Sequence, residues 1–210
     1  MRLSSIELPT IPSLYKAETK DFRQLCKMYG EAFSEDPIWK EILKGKEEKF
    51  NVVFGVPVKF ALKYGVIYAD SPDIHAAATW LPYPYTNMTL WRLFLSGALK
   101  EAIKLDYSIG KKISQVFSVI EKDKLQHMKN YSYVYLYVLG VAPSKQGQGH
   151  GSTLVKKMIE SLSPDIPIYL ETETERNVVF YERLGFEVLK KVNVPLLDFP
   201  LWEMVNWKRE

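Results

Sequence analysis

Residues 138–154 read Val-Leu-Gly-Val-Ala-Pro-Ser-Lys-Gln-Gly-Gln-Gly-His-Gly-Ser-Thr-Leu, with Gly147, Gly149 and Gly151 at alternate positions. They lie between a Tyr- and Val-rich apolar run and the apolar spacing of a helix. The order strand, glycine-rich loop, helix stacks backbone N–H groups, clear of side chains, at the positive end of a helix dipole. Such a junction seats a phosphate-bearing ligand. Spacing excludes two familiar phosphate loops. G-x-x-x-x-G-K-[ST] needs a Lys after its last glycine, and none follows Gly151; G-x-G-x-x-G is not met by G-x-G-x-G, with no acidic residue placed for a ribose.

What remains is Gln146-x-x-Gly149-x-Gly151 after Val141-Ala-Pro, which resembles the acyl-CoA signature of the GNAT superfamily of N-acetyltransferases: Arg or Gln, two residues, Gly, one residue, Gly or Ala. Downstream, Phe180-Tyr-Glu-Arg-Leu-Gly-Phe186 is similar to the second signature of that superfamily, in the expected order. The resemblance implies an α/β (α+β) fold with a mixed central sheet, flanked by helices, in which two parallel strands splay apart to admit the pantetheine arm of acetyl-CoA. On that resemblance Leu139, Gly140 and Val141 offer main-chain groups to the pantetheine and thioester, with the Val141 N–H as the oxyanion donor. Gln146, Gly147, Gln148, Gly149, His150, Gly151 and Ser152 hold the pyrophosphate, where a Cβ on the glycines would keep phosphate oxygens from the N–H groups.

The implied chemistry is direct transfer of an acetyl group from acetyl-CoA to a primary amine in a ternary complex. The amine must lose a proton, the oxyanion needs a donor and the departing thiolate needs a proton. Tyr181 matches the tyrosine that serves as general acid in many family members, and it also fits a core aromatic between Val178 and Leu184. Glu171, at a strand end, is the candidate base, with a structural carboxylate as the alternative. Family members often carry an Asn about seven residues before the tyrosine. Here Asn177 lies four before it and Thr174 holds the usual spot, so the pantetheine contact falls to one or the other. Thr172 with Glu175 also fits a capping box.

The phrase Leu170-Glu-Thr with Asn177-Val-Val-Phe-Tyr-Glu-Arg-Leu-Gly-Phe186 is similar to the puromycin-acetyltransferase-like group, which points to a small-molecule amine acceptor. Two rivals stand beside it: a protein or peptide N-acetyltransferase of the same fold, and a CoA-binding sensor module without turnover. His75 and His127 have no partner at metal-ligand spacing, so no metal is implied.

The whole chain must position these groups. Its 210 residues suit one domain over 1–210, and 47% apolar with 25% charged residues is ordinary for a globular protein. A net charge of +3 from 28 basic and 25 acidic residues is too balanced to suggest nucleic acid or an anionic membrane as partner. A lone cysteine, Cys26, no signal-peptide segment and no apolar run of membrane length predict a cytoplasmic setting. Cys26 reads as a buried hydrophobe.

In chain order, residues 12–17 predict a short strand, and Thr19 the cap of a helix whose apolar face carries Phe22, Leu25, Cys26, Tyr29, Ala32 and Phe33. Asp36-Pro37 restarts a short helix. Residues 46–64 predict an amphipathic helix that Pro57 kinks or ends early, and 64–69 with 74–81 an antiparallel hairpin. A helical insertion at about 83–131 carries two apolar stripes, Trp91 to Leu105 and Ile109 to Ile120, with Glu121–Lys129 as a solvated last turn and loop. It either covers the acceptor side of the cleft or adds core and the surface of a homodimer. Residues 132–141 predict a central strand with Tyr133, Tyr135, Tyr137, Leu139 and Val141 on one face and Val134, Leu136, Val138 and Gly140 on the other. A helix through Leu154 and Leu162, a parallel strand over 168–172, a helical turn near Thr174 and a closing hairpin of 187–194 with 201–207 complete the chain.

Overall fold

A computed structural model describes residues 4–194 and 199–207. The strand β1 (Tyr15–Lys16) precedes the helices α1 (Phe22–Ala32), α2 (Pro37–Ile42), α3 (Phe50–Val53) and α4 (Gly55–Tyr64). The hairpin of β2 (Val66–Ala69) and β3 (Ala76–Pro82) follows, then α5 (Leu90–Ser96), α6 (Ala98–Ala102) and α7 (Tyr107–Met128). The chain continues through β4 (Val134–Val141), α8 (His150–Ser161), β5 (Ile168–Thr172), α9 (Glu175–Glu182), β6 (Glu187–Val194) and β7 (Phe199–Asn206). Among the described residues the strands form one seven-stranded sheet in the order β1-β2-β3-β4-β5-β7-β6. Only β4 and β5 run parallel, because α8 returns the chain between them.

Each sheet face has its own core. On one side Tyr29, Phe54, Phe60, Tyr135 and Tyr169 pack with residues of α1, α3, α4 and α7. On the other, Trp80, Leu136, Leu154, Met158, Leu170 and Tyr181 pack with α8 and α9. Cys26 is buried in the first core, and burial pushes its thiol up to about 12, which leaves an inert hydrophobe.

The central strand departs from strict alternation. Thr79 pairs with Val138 but Trp80 pairs with Leu136, so Tyr137 is an extra residue in β4. This bulge reverses the faces beyond it. Tyr133, Tyr135 and Tyr137 join the first core as expected, but Leu139 and Val141 lie with the second core and Val138 with the first.

The helical layer brings further corrections. Thr19 opens a 3-10 turn, Thr19–Asp21, instead of capping a helix; Asp21 Oδ2 accepts from the Glu18 N–H at 2.8 Å and the Tyr15 hydroxyl at 2.9 Å. Asp36 does cap α2, accepting from the Trp39 N–H at 3.0 Å ahead of Pro37. The segment 46–64 is broken into a 3-10 turn, α3 and α4, since Pro57 cannot donate to the carbonyl four residues back. The stripe from Trp91 to Leu105 is also divided. Gly97 takes a left-handed conformation (φ 76°) that ends α5 and re-aims α6, leaving Trp91 67% and Phe94 59% exposed. The second stripe holds, but Glu121–Lys129 is no solvated loop. The helix runs on to Met128, with Lys124 and Met128 buried against the sheet.

Candidate active site

The two parallel strands pair only at Val134 with Ile168 and Tyr135 with Tyr169, then diverge. Each keeps its outer neighbour, β4 holding β3 as far as Val141 and β5 holding β7 as far as Thr172. The gap between them therefore has main-chain edges. Ala142 donates to the His75 carbonyl at 2.8 Å, which sets the alternation of the antiparallel ladder. Gly140, opposite Ala77, turns its main-chain groups toward β3, while Leu139 and Val141 face the gap. Gly140 contributes room instead: a Cβ there would come within 2.6 Å of the Tyr29 ring.

The glycine loop closes one end of the gap. Gly147 (φ 75°) and Gly149 (φ 86°) occupy the left-handed region, and Gly149 is the N-cap of α8. The first helical bond there runs from the Thr153 N–H to the Gly149 carbonyl at 2.9 Å, so the N–H groups of His150, Gly151 and Ser152 precede the ladder. The loop is braced by Gln146 Nε2 on the Val141 carbonyl (3.2 Å), Gln148 Nε2 on the Ser144 carbonyl (3.0 Å) and the Ser152 hydroxyl on the Gly149 carbonyl (2.8 Å). A Cβ at Gly151 would touch Val141 Cγ2 at 3.4 Å and both Leu139 and Phe180 at 3.8 Å, so β4, α8 and α9 converge there. The His150 imidazole is turned away from this loop, with Nδ1 3.0 Å from Asp70 Oδ2 on the β2–β3 turn.

Tyr181 and Glu171 lie on opposite sides of the sheet. Tyr181 sits in the core that holds Leu139 and Val141, edge-on to Phe180 (5.0 Å) and Phe186 (5.6 Å). Burial, with the nearby Glu173 charge, raises its phenol above the ordinary value, so it is protonated at neutral pH. Thr174 caps α9 by accepting from the Asn177 N–H at 3.2 Å, which occupies the Thr174 hydroxyl and replaces the capping box expected at Thr172.

Glu171 faces α7. Its Oε2 accepts from the Tyr135 hydroxyl at 2.5 Å, and its Oε1 is shut from solvent without a partner, although the residue as a whole is only part-buried. Burial raises this carboxyl to about 7, against the opposing pull of Lys124 and Tyr135. Lys124, only 3% exposed, lies 4.8 Å above the Tyr135 ring, pairs with Glu121 at 2.6 Å and donates to the Thr86 carbonyl at 3.2 Å. His127 Nδ1 is 2.6 Å from Oε2 of the fully buried Glu203. A further carboxyl, Glu173, meets Asp36; burial and that hydrogen bond hold it well above the ordinary glutamate range.

Sequence reasoning missed Asp36 as a partner of Glu173 and missed Glu203; it placed Lys124 in a solvated turn and gave His127 no partner. Glu121, Lys124 and His127 recur every third residue and so share a helix face, but a charged face at that spacing reads as solvated. Between α1, α2 and α3 a groove of about 1100 Å³ reaches Ala142, Pro143 and Ser144 at the foot of the loop. Its walls include Glu31, Glu35, Glu41, Glu47 and Glu48; Glu171 is not among its lining residues. Among the described residues no three His, Cys, Asp or Glu are grouped to hold a metal, and no helix is long and apolar enough to cross a membrane.

Comparison with known proteins agrees with this geometry. The acetyltransferase (GNAT) domain family matches residues 111–188, the span from α7 to the start of β6. An uncharacterized N-acetyltransferase of Schizosaccharomyces pombe is 25% identical over 181 residues, covering 81% of this chain and 72% of its own length. Among solved structures, a histone acetyltransferase and related acetyltransferase of Corynebacterium glutamicum is 22% identical, covers 96% of this chain and 98% of its own, and superposes with a TM-score of 0.63. A Drosophila melanogaster polyamine N-acetyltransferase that forms N-acetylagmatine is 14% identical, with 91% and 97% covered and a TM-score of 0.58. An arylalkylamine N-acetyltransferase of Aedes aegypti is 13% identical, with 93% and 98% covered and a TM-score of 0.60. With its parted parallel strands and glycine loop, the chain matches the acetyltransferase (GNAT) domain family over residues 111–188 and is similar along most of its length to N-acetyltransferases.

Proposed function

We propose that this protein transfers the acetyl group of acetyl-CoA to a primary amine of a small molecule, by direct attack within a ternary complex. The observation that carries the reading is the divergence of β4 and β5 after Tyr135 and Tyr169, which leaves the main-chain edges of Leu139 and Val141 facing a strand-wide gap. In this reading the pantetheine pairs with that edge, and the pyrophosphate rests on the N–H groups of the 146–152 loop. The thioester carbonyl lies by the Val141 N–H, which stabilises the developing oxyanion.

Glu171 takes a proton from the acceptor amine, and Tyr181 gives one to the departing thiolate. Their placement on opposite faces of the sheet suits these roles, with the nucleophile arriving from the α7 side and the thiol leaving toward α9. A base with a value near 7 is half-ionised at neutral pH. Of Thr174 and Asn177, Asn177 is the one left for the pantetheine, since the Thr174 hydroxyl caps the helix.

A small acceptor is favoured because α7 roofs the Glu171 face, burying Ile109, Val116, Ile120, Lys124 and Met128. The acetylation of agmatine by a protein of this fold is in keeping with a cationic acceptor. The test is thiol release from acetyl-CoA against spermidine, agmatine, tyramine, kanamycin and short peptides. Turnover confined to the small amines is expected. Turnover of peptides alone overturns the acceptor class, and failure of acetyl-CoA to raise the melting temperature overturns the reading as a whole.

A further inference from the structure

The reaction leaves a proton to be disposed of. An ammonium acceptor loses two protons on becoming an amide; one restores the Tyr181 hydroxyl after it has protonated the thiolate, and the other must reach water. Glu171 is roofed by α7, with Tyr133 just before β4, Tyr135 and Tyr137 of β4 and Tyr169 of β5 around it, and its free oxygen has no contact with solvent.

An exit is built beside it. Glu171 and Glu203 are direct cross-strand partners in the β5–β7 pair, so their side chains rise from the same face. Directly opposed residues of antiparallel strands have Cβ atoms about 5 Å apart, within reach for two glutamates. Each has a buried Oε1 without a partner, and Glu203 is 0% exposed along its side chain. The other oxygen of Glu203 lies 2.6 Å from His127 Nδ1, and His127 is 31% exposed, which brings its ring to water. Burial of a carboxyl with an unpaired oxygen is costly and calls for a compensating role.

We propose that Glu203 and His127 are the proton outlet of Glu171: the proton taken from the acceptor crosses the β5–β7 pair to Glu203, passes to the imidazole and is released to water from the exposed ring edge. This rests on the reading of Glu171 as the base. Atoms and charge balance without any co-reactant, since one proton enters at Glu171 and one leaves at His127. Burial raises the Glu203 carboxyl as well, in the same direction as Glu171, against the opposing pull of His127. The charged groups facing the pair are few. Lys124 and Glu121 compensate each other, as do Asp123 and Lys190 at 3.0 Å. Glu203 and His127 are positioning residues in this scheme, since neither touches the acceptor.

The test measures kcat against pH for the full chain and for Glu171→Gln, Glu203→Gln and His127→Gln, on whichever amine of the panel turns over. Glu203→Gln and His127→Gln are expected to lower kcat about tenfold, a fraction of the full effect of a general base, with KM for acetyl-CoA unchanged. Added imidazole is expected to restore most of the rate in His127→Gln, as a ring that only tethered α7 to β7 would not allow. Unchanged kcat in His127→Gln, or a loss that imidazole does not restore, overturns the outlet. Full turnover by Glu171→Gln overturns the base instead, so the two failures are distinguishable. If Glu203→Gln does not fold, the part-exposed His127→Gln decides alone.

Discussion

Replacing Glu171 by Gln should make the protein more stable and less active at the same pH. Burial raises the carboxyl from the ordinary 4.5 to about 7. Between those values the folded state binds more protons than the unfolded state, so stability falls as pH rises and levels off above the folded value. A rise of that size amounts to roughly 3 kcal/mol at about 1.4 kcal/mol per pH unit. Gln resembles the protonated form: its amide oxygen can accept from Tyr135, as Oε2 does, and its amide carries no charge to desolvate. Glu171→Gln is therefore expected to match the wild type near pH 4 and to exceed it by roughly 3 kcal/mol above pH 7, about 6–12 °C in Tm for a chain of this size. Over the same range kcat should fall by about a hundredfold or more, the effect of removing a general base. Thermal and denaturant unfolding of both proteins from pH 4 to 9 gives the difference curve. A flat difference, or a variant less stable than wild type at pH 8.5, would refute the account of a buried, raised carboxylate.

Further outcomes test other parts of the site. Gly149→Trp should abolish the rise in Tm that acetyl-CoA gives, because Gly149 holds a left-handed conformation (φ 86°) in the phosphate loop; a retained shift would place the cofactor elsewhere. Tyr181→Phe should lower kcat far more than it alters acetyl-CoA affinity, and equal turnover would remove Tyr181 as the acid. Gly140→Ala should cost about 1–3 kcal/mol, since the new methyl meets Tyr29 at 2.6 Å and that ring is held by a 2.8 Å bond between its hydroxyl and Thr79; chemical denaturation measures it, and no loss would show that the ring can yield.

Much of the site was legible in the chain alone, because it rests on local chemistry. Three glycines at alternate positions before a helical spacing announce the tight loop and N-terminus of α8, and Asp36-Pro37 and Thr174 sit where helix starts demand them. Other features were hidden because they depend on partners distant in sequence. The bulge at Tyr137 is set by its register with Thr79 and Trp80, so nothing within 134–141 announces that Leu139 and Val141 change faces. The last two turns of α7 look like a solvated tail until Tyr135, Thr86 and Glu203 supply partners for Lys124 and His127.

By itself, then, the sequence determined most of the strands and helices, the glycine loop ahead of α8 and the family they resemble, since each follows from residue types a few positions apart. The tertiary structure decided which carboxyls are buried together and which is raised toward neutrality. Glu171 and Glu203 meet only because β7 lies beside β5, and Glu171 reaches a value near 7 only because α7 shuts it from water. Burial and cross-strand contact are properties of the packed chain, and no local run of residues contains them.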